Sequence, residues 1–206
     1  MGRWFLVRHG ETEWNRTGRI LGHSDIPLNE HGQWQVMMLA RELADENLSC
    51  AYSSDLMRAT ETARVLTEGT ALAIETDSAL REFSYGAWEG LTLEEVETQL
   101  SSISAEQLDL REQTFAAPGG ESTLHVLHRV RRFVTRVMRH QSAADNVLIV
   151  THAGPIRALL VCLLDLADDH FWKFKVDCAG LSVVSKEPKG SVLELCNGTG
   201  HLQRTP

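Results

Sequence analysis

Val147-Leu148-Ile149-Val150-Thr151-His152-Ala153-Gly154-Pro155 passes without a break from a fully apolar run into a glycine and a proline. Four consecutive apolar residues bounded in this way read as a strand buried on both faces, residues 147–150. Proline at a first-turn position then opens a helix. Ile156, Leu159, Leu160, Val161, Leu163 and Leu164 make that helix apolar nearly all round, so burial is expected. A doubly buried strand feeding directly into a helix is the unit of a parallel sheet.

The unit recurs along the chain. Trp4-Phe5-Leu6-Val7 is a second short apolar strand, ending at Gly10. Val36, Leu39, Ala40, Leu43 and Ala44 repeat at helical spacing and predict a helix over residues 30–46. Residues 49–53 read as a strand, after which Ser54 or Asp55 is expected to cap a helix reaching about Leu66, with Arg58 in its first turn. Further short strands are expected at residues 72–75 and just before Glu82. Residues 91–124 weaken into short polar helices and a Pro118-Gly119-Gly120 turn, which read as a cap inserted at roughly residues 84–124. Val126, Val130, Phe133, Val134, Val137 and Met138 then mark a long amphipathic helix, and residues 181–185 and 192–196 read as strands around Pro188-Lys189-Gly190. The expected fold is α/β: a three-layer α/β/α sandwich with a mostly parallel central sheet and a small inserted helical cap. A chain of 206 residues fits one such domain over residues 1–206.

Composition narrows the function. Hydrophobic residues at 43% and charged residues at 23% are ordinary for a soluble globular protein. A formal charge of −8 argues against a general nucleic-acid or anionic-membrane surface, so any bound anion needs a local cluster of cations. Cys50, Cys162, Cys178 and Cys196 lie far apart and read as small buried hydrophobes of a reducing compartment. The N-terminus lacks the charged region of a signal peptide, Leu6 stands where a myristoylation motif wants Ser or Thr, and residues 158–164 are too few to span a bilayer. These features predict a cytoplasmic enzyme. A homodimer stays open.

Ligands of open α/β sheets bind at the carboxyl ends of the strands. Three junctions there carry what a phosphate site needs: Arg8-His9-Gly10, Arg58 in the helix after the second strand, and His152 before Gly154-Pro155. Planar guanidinium forks clamp phosphate oxygens, and a neutral imidazole can accept a phosphoryl group. The helix after His152 adds backbone N–H groups and a partial positive charge. Glu82 is the candidate proton donor to the leaving oxygen, since aromatic neighbours and a facing dianion both raise a carboxyl pKa. Glu89 is its competitor in the same stretch.

The segments that carry these residues resemble the histidine phosphatase superfamily, also called phosphoglycerate mutase-like. Leu6-Val7-Arg8-His9-Gly10-Glu11-Thr12-Glu13-Trp14-Asn15 is similar to its signature, and residues 52–63, around Arg58, to its second motif. Leu80-Arg81-Glu82 with Gly86 and Trp88-Glu89-Gly90 resembles the acid motif. Pro118-Gly119-Gly120-Glu121-Ser122 and Val150-Thr151-His152-Ala153-Gly154 resemble the fourth and fifth, in family order. The resemblance implies a metal-independent enzyme without a cofactor. His9 would be phosphorylated, Arg8 and Arg58 would clamp the phosphate, and His152 would bind the phosphoryl oxygens. Glu82 would protonate the leaving group and then activate water, and Asn15 would reach the phosphate or the substrate or else shape its loop.

The reaction has two readings, a phosphomonoesterase acting on a small-molecule phosphate ester and a cofactor-dependent phosphoglycerate mutase. Residues 91–124 hold one basic residue, Arg111, against Glu94, Glu95, Glu97, Glu106, Asp109, Glu112 and Glu121, which disfavours polyanions and favours hydrolysis. The neighbours of Glu82 also differ from the mutase pattern, and the chain resembles the shorter phosphatases. Residues 171–179 are loosely similar to metal-independent phosphoserine phosphatases, and the acid motif resembles α-ribazole phosphatases as well. His125 and His128, three apart, have metal-ligand spacing without an acidic or cysteine partner and read as a helix face.

Overall fold

The computed structural model describes residues 2–100, 112–142 and 144–203. Six strands, β1 (Arg3–Arg8), β2 (Cys50–Ser53), β3 (Ile74–Thr76), β4 (Val147–Thr151), β5 (Leu181–Glu187) and β6 (Gly190–Gly198), form one sheet in the order β3-β2-β4-β1-β5-β6. The pairs β3/β2, β2/β4 and β4/β1 are parallel, and β5 and β6 add antiparallel strands at one edge. The helices are α1 (Glu13–Arg16), α2 (Glu30–Glu42), α3 (Met57–Leu66), α4 (Leu93–Leu100), α5 (Thr123–His140) and α6 (Ala153–Leu163).

Strand side chains alternate between faces, and the two faces meet different helices. Trp4, Leu6, Val147 and Ile149 pack with Val126, Val130 and Phe133 of α5 and Ile156, Leu159 and Leu160 of α6. Phe5, Val7, Leu148 and Val150 pack with Val36 and Leu39 of α2 and Ala59, Ala63 and Leu66 of α3. The result is three layers, α2 and α3, sheet, α5 and α6. The expected α/β/α sandwich with a mostly parallel sheet is the fold found.

Three local expectations are corrected. The cap of α3 is Leu56, without a side-chain hydrogen bond; the Met57 N–H is taken by Asp25 Oδ1 at 2.7 Å, from another loop. Ser54 Oγ accepts the Leu56 N–H one residue ahead of the helix and faces His152, and Asp55 is committed to Arg81. The segment before Glu82 is a 3₁₀ turn, Ser78–Leu80, because the Asp77 carboxylate accepts the Ala79 N–H at 2.7 Å and bends the chain. Helix α2 stops at Glu42, four residues before the expected end.

Trp88, Val96 and Ala117 form a small separate cluster with Ile20, Leu91 and Phe115, joined to the sandwich by the bridge of Arg19 with Thr92. Glu106, Asp109 and Arg111 of the acidic interval lie outside the described residues. Gly200–Gln203 makes a 3₁₀ turn against α2, and residues 204–206 lie outside the described residues. Among the described residues no helix is long and apolar enough to cross a membrane.

Candidate active site

His9 is delivered by the end of β1, where its N–H donates to Thr151 O and its carbonyl accepts from Ala179 N, both at 3.0 Å. The site thus begins on the two central strands. Gly10 follows because a Cβ there would lie 2.5 Å from the Gly32 carbonyl oxygen. Its N–H donates to Thr62 Oγ1 of α3.

The tautomers of the two histidines follow from their partners. His9 Nδ1 faces the Gly10 carbonyl at 2.7 Å; a carbonyl only accepts, so Nδ1 carries the proton and Nε2 keeps its lone pair. Arg58 Nε donates to His152 Nδ1 at 3.2 Å, so the His152 proton sits on Nε2 and donates to Ser54 Oγ at 2.9 Å. The two rings lie 5.0 Å apart between centroids. Burial first, then the charges of Arg58 and Arg8, hold the His9 pKa well below its ordinary 6.5. Burial and Arg58 do the same to His152. Both imidazoles are therefore neutral at pH 7.

Arg58 is fully buried, and burial pulls its pKa down to about 10, which leaves it cationic. Besides its bond to His152 it donates to Ser24 O and Gly22 O at 2.8 and 2.7 Å. Three of a guanidinium's five N–H groups are thereby used, and two remain for a ligand. Arg8 donates from Nη1 to Val176 O, and its buried Nε has no partner among the described residues. Arg8, Glu11 and Asn15 line a cavity of about 590 Å³ with Gln35, Asp177 and Thr199. The Asn15 amide oxygen is spent on the Thr12 N–H and hydroxyl, so Asn15 shapes the start of α1 as well as facing this cavity.

Glu82 occupies the start of α6, where a bound phosphate is expected from the sequence. Its carboxylate accepts the Ala153 and Gly154 N–H groups at 3.1 and 3.0 Å, and the Phe83 N–H at 3.0 Å. The two helix N–H groups thus hold the carboxylate beside His152. Gly154 is required here, since a Cβ would sit 2.5 Å from Glu82 Oε1 and from the Phe83 ring. Glu89 is spent differently: it accepts the N–H groups of His23, Ser24 and Tyr85, tying two loops together.

Several residues of the site carried no sequence signal of their own. His23 Nε2 and Arg129 Nη2 both donate to the Glu82 carbonyl at 2.9 Å, and Arg129 also pairs with Glu121. Ser54, which the second motif contains and which reads there only as a helix cap, orients His152. Glu121 belonged to a recognised motif, but its arginine partner lies eight residues on. These pairings also alter the argument from acidity, because Glu121 is matched by Arg129 and Glu95 bonds to Arg19 and the Thr92 N–H. The charge count of residues 91–124 therefore overstates the acidity near the site. His125 completes a capping box with Ser122, and among the described residues no group of three metal-binding side chains gathers.

The description "Histidine phosphatase superfamily (branch 1)" belongs to a family model that matches residues 4–199. The chain is 35% identical over 202 residues to phosphoserine phosphatase 1 of Hydrogenobacter thermophilus, covering 98% of this chain and 95% of that one. It is similar to the mycobacterial glucosyl-3-phosphoglycerate phosphatase Rv2419c, whose structure with VO3 superposes at a TM-score of 0.86, with 31% identity over 96% of this chain and 100% of that one. A putative α-ribazole-5′-P phosphatase from Escherichia coli K-12 gives a TM-score of 0.87 at 29% identity, with 96% and 97% coverage. The chain also spans about half, 55%, of the length of three Mycobacterium relatives to which it is 36% identical.

Proposed function

Because this chain belongs to branch 1 of the histidine phosphatase superfamily and is a phosphomonoesterase, we propose that His9 is its nucleophile and Glu82 its proton carrier. The observation that carries the reading is the His9 Nδ1–H held by the Gly10 carbonyl at 2.7 Å, which leaves Nε2 as a lone pair beside two arginines.

In this reading the ester phosphate enters against Arg8 and the two unused N–H groups of Arg58, which balance its charge. His9 Nε2 attacks phosphorus, the bond from phosphorus to the ester oxygen breaks, and Glu82, having taken up the proton of the incoming phosphate monoanion, passes it to the departing oxygen. The products are an alcohol and a phosphohistidine. Glu82, now a carboxylate, takes a proton from a water whose oxygen attacks phosphorus; the P–N bond breaks and phosphate leaves. His152 keeps Arg58 in place and supplies polar contacts to the phosphoryl oxygens by rotating its Nε2–H from Ser54. No residue of this scheme calls for a metal. Of the interval read as a cap, the described residues 84–100 and 112–124 would flank the substrate entrance, and Asn15 reaches the substrate from the start of α1. Four unpaired cysteines and the acidic composition fit a cytoplasmic enzyme.

Relatives named for phosphoserine, glucosyl-3-phosphoglycerate and α-ribazole phosphate support a small organic phosphate as substrate. The test of the nucleophile is rapid acid or base quench during turnover of p-nitrophenyl phosphate. Acid-labile, base-stable phosphate is expected on the peptide containing His9. His9→Ala is expected to lose it together with ~10³-fold or more of kcat. Label on another residue, or full activity in His9→Ala, overturns the assignment.

A further inference from the structure

Arg157 stands five residues beyond His152 on α6, a rise of about 7.5 Å, and helical side chains lean back toward the N-terminus. Its guanidinium lies over the Trp172 ring at 5.1 Å from the centroid. Trp172 in turn stacks on Phe83, the residue whose N–H holds Glu82. Nε donates to Phe174 O at 3.0 Å, while neither Nη atom bonds to a described residue. The ionisable groups around Arg157 are Glu82, Tyr85 and Arg8, all at the site described above, and burial lowers its pKa. Among the described residues no carboxylate forms an ion pair with it. Arg157 is a partly buried cation whose terminal nitrogens bond to no described residue, which leaves its fork open to an incoming anion.

Resting on the phosphatase reading above, we propose that Arg157 anchors a carboxylate on the alcohol portion of the substrate, so that the enzyme selects phosphomonoesters bearing a carboxylate a few bonds from phosphorus. A carboxylate suits the position better than a second phosphate. One guanidinium beside the Glu82 carboxylate can balance a monoanion and not a dianion, and its planar fork matches two carboxylate oxygens. The Tyr85 phenol, held neutral by burial and by Glu82, adds an O–H donor without adding charge. Phe83, Phe171 and Trp172 pack edge and face behind the guanidinium and fix its direction.

The test is calorimetric titration of a His9→Ala background, which binds without turnover, with phosphoserine and with phosphoethanolamine, which lacks only the carboxylate. With Arg157 present, phosphoserine is expected to bind about 10- to 100-fold more tightly, the worth of a charge-assisted pair. Arg157→Gln is expected to remove that preference while phosphoethanolamine affinity stays within about threefold. Arg157→Lys keeps the charge without the fork and is expected to retain part of the preference. Equal affinities with Arg157 present, no binding of either ligand, or an equal loss for both in Arg157→Gln would overturn the proposal. If Arg157→Gln does not fold, the paired titrations with Arg157 retained and with Arg157→Lys still decide it. Turnover of p-nitrophenyl phosphate by the enzyme with His9 intact reports separately on the phosphatase reading, because that ester has no carboxylate.

Discussion

His9 and His152 owe their neutrality to position, not to residue type. Each is buried with arginine charge nearby, and both effects disfavour the imidazolium. The same shift makes a statement about stability. Below the ordinary pKa of 6.5 the unfolded chain binds protons at both histidines and the folded chain does not. Stability is therefore complete above that pH and is lost as the pH falls below it, by up to about 1.4 kcal/mol per pH unit for each histidine. Urea midpoints between pH 7.5 and 5.5 check the slope, which should become shallower in His9→Phe; an unchanged slope would mean that His9 is not held neutral. Both histidines and both arginines were legible in the sequence because each ends a strand or opens a helix. Their partners were less legible: Ser54 reads as a cap within the second motif rather than as the acceptor for His152, and Gly22 and Ser24 carry no pattern beyond their own loop.

The N-terminus of α6 shows how one element serves another's chemistry. A helix start draws a group rich in acceptor oxygens, and here that group is the Glu82 carboxyl. Gly154→Ala pushes a methyl into the carboxylate and the Phe83 ring, so kcat should fall ~10²-fold through misplacement of the proton carrier. Stability should drop by about 1–3 kcal/mol from overpacking, and paired kinetics and denaturation distinguish the two effects. On α5, Arg129 spans Ala79 O, Glu82 O and the Glu121 carboxylate. Arg129→Met should cost about 2–3 kcal/mol by stranding Glu121, and adding Glu121→Gln should recover part of it. Failure of the second change to recover anything would place the cost in packing instead. Helix positions were readable from apolar spacing, but the turn before Glu82 was not, because one Asp77 side-chain bond outweighs strand propensity there.

Across the whole molecule, the sheet order decides everything the site needs. Strands β1 and β4 are neighbours although well over a hundred residues separate them, and β2 flanks β4. His9, Ser54, Arg58 and His152 meet because parallel strands end on one edge. Leu148 is the second residue of β4 and is fully buried against α2 and α3. Leu148→Ala should lower stability by about 3 kcal/mol while leaving KM unchanged, since the cavity opens away from the catalytic junctions. A change in KM of the same size as that in stability would show that core and site are not separable. Most strands, the helices and the residue types at their junctions were set by hydrophobic period and motif order, which are local properties of the chain. Which atoms of those residues are free was set by folding alone. The His9 tautomer, the hold of α6 on Glu82, the neutralisation of Glu121 and the unmatched nitrogens of Arg157 all depend on how the folded chain packs around them. Hydrogen bonds and burial belong to space, and spacing along a chain does not encode them.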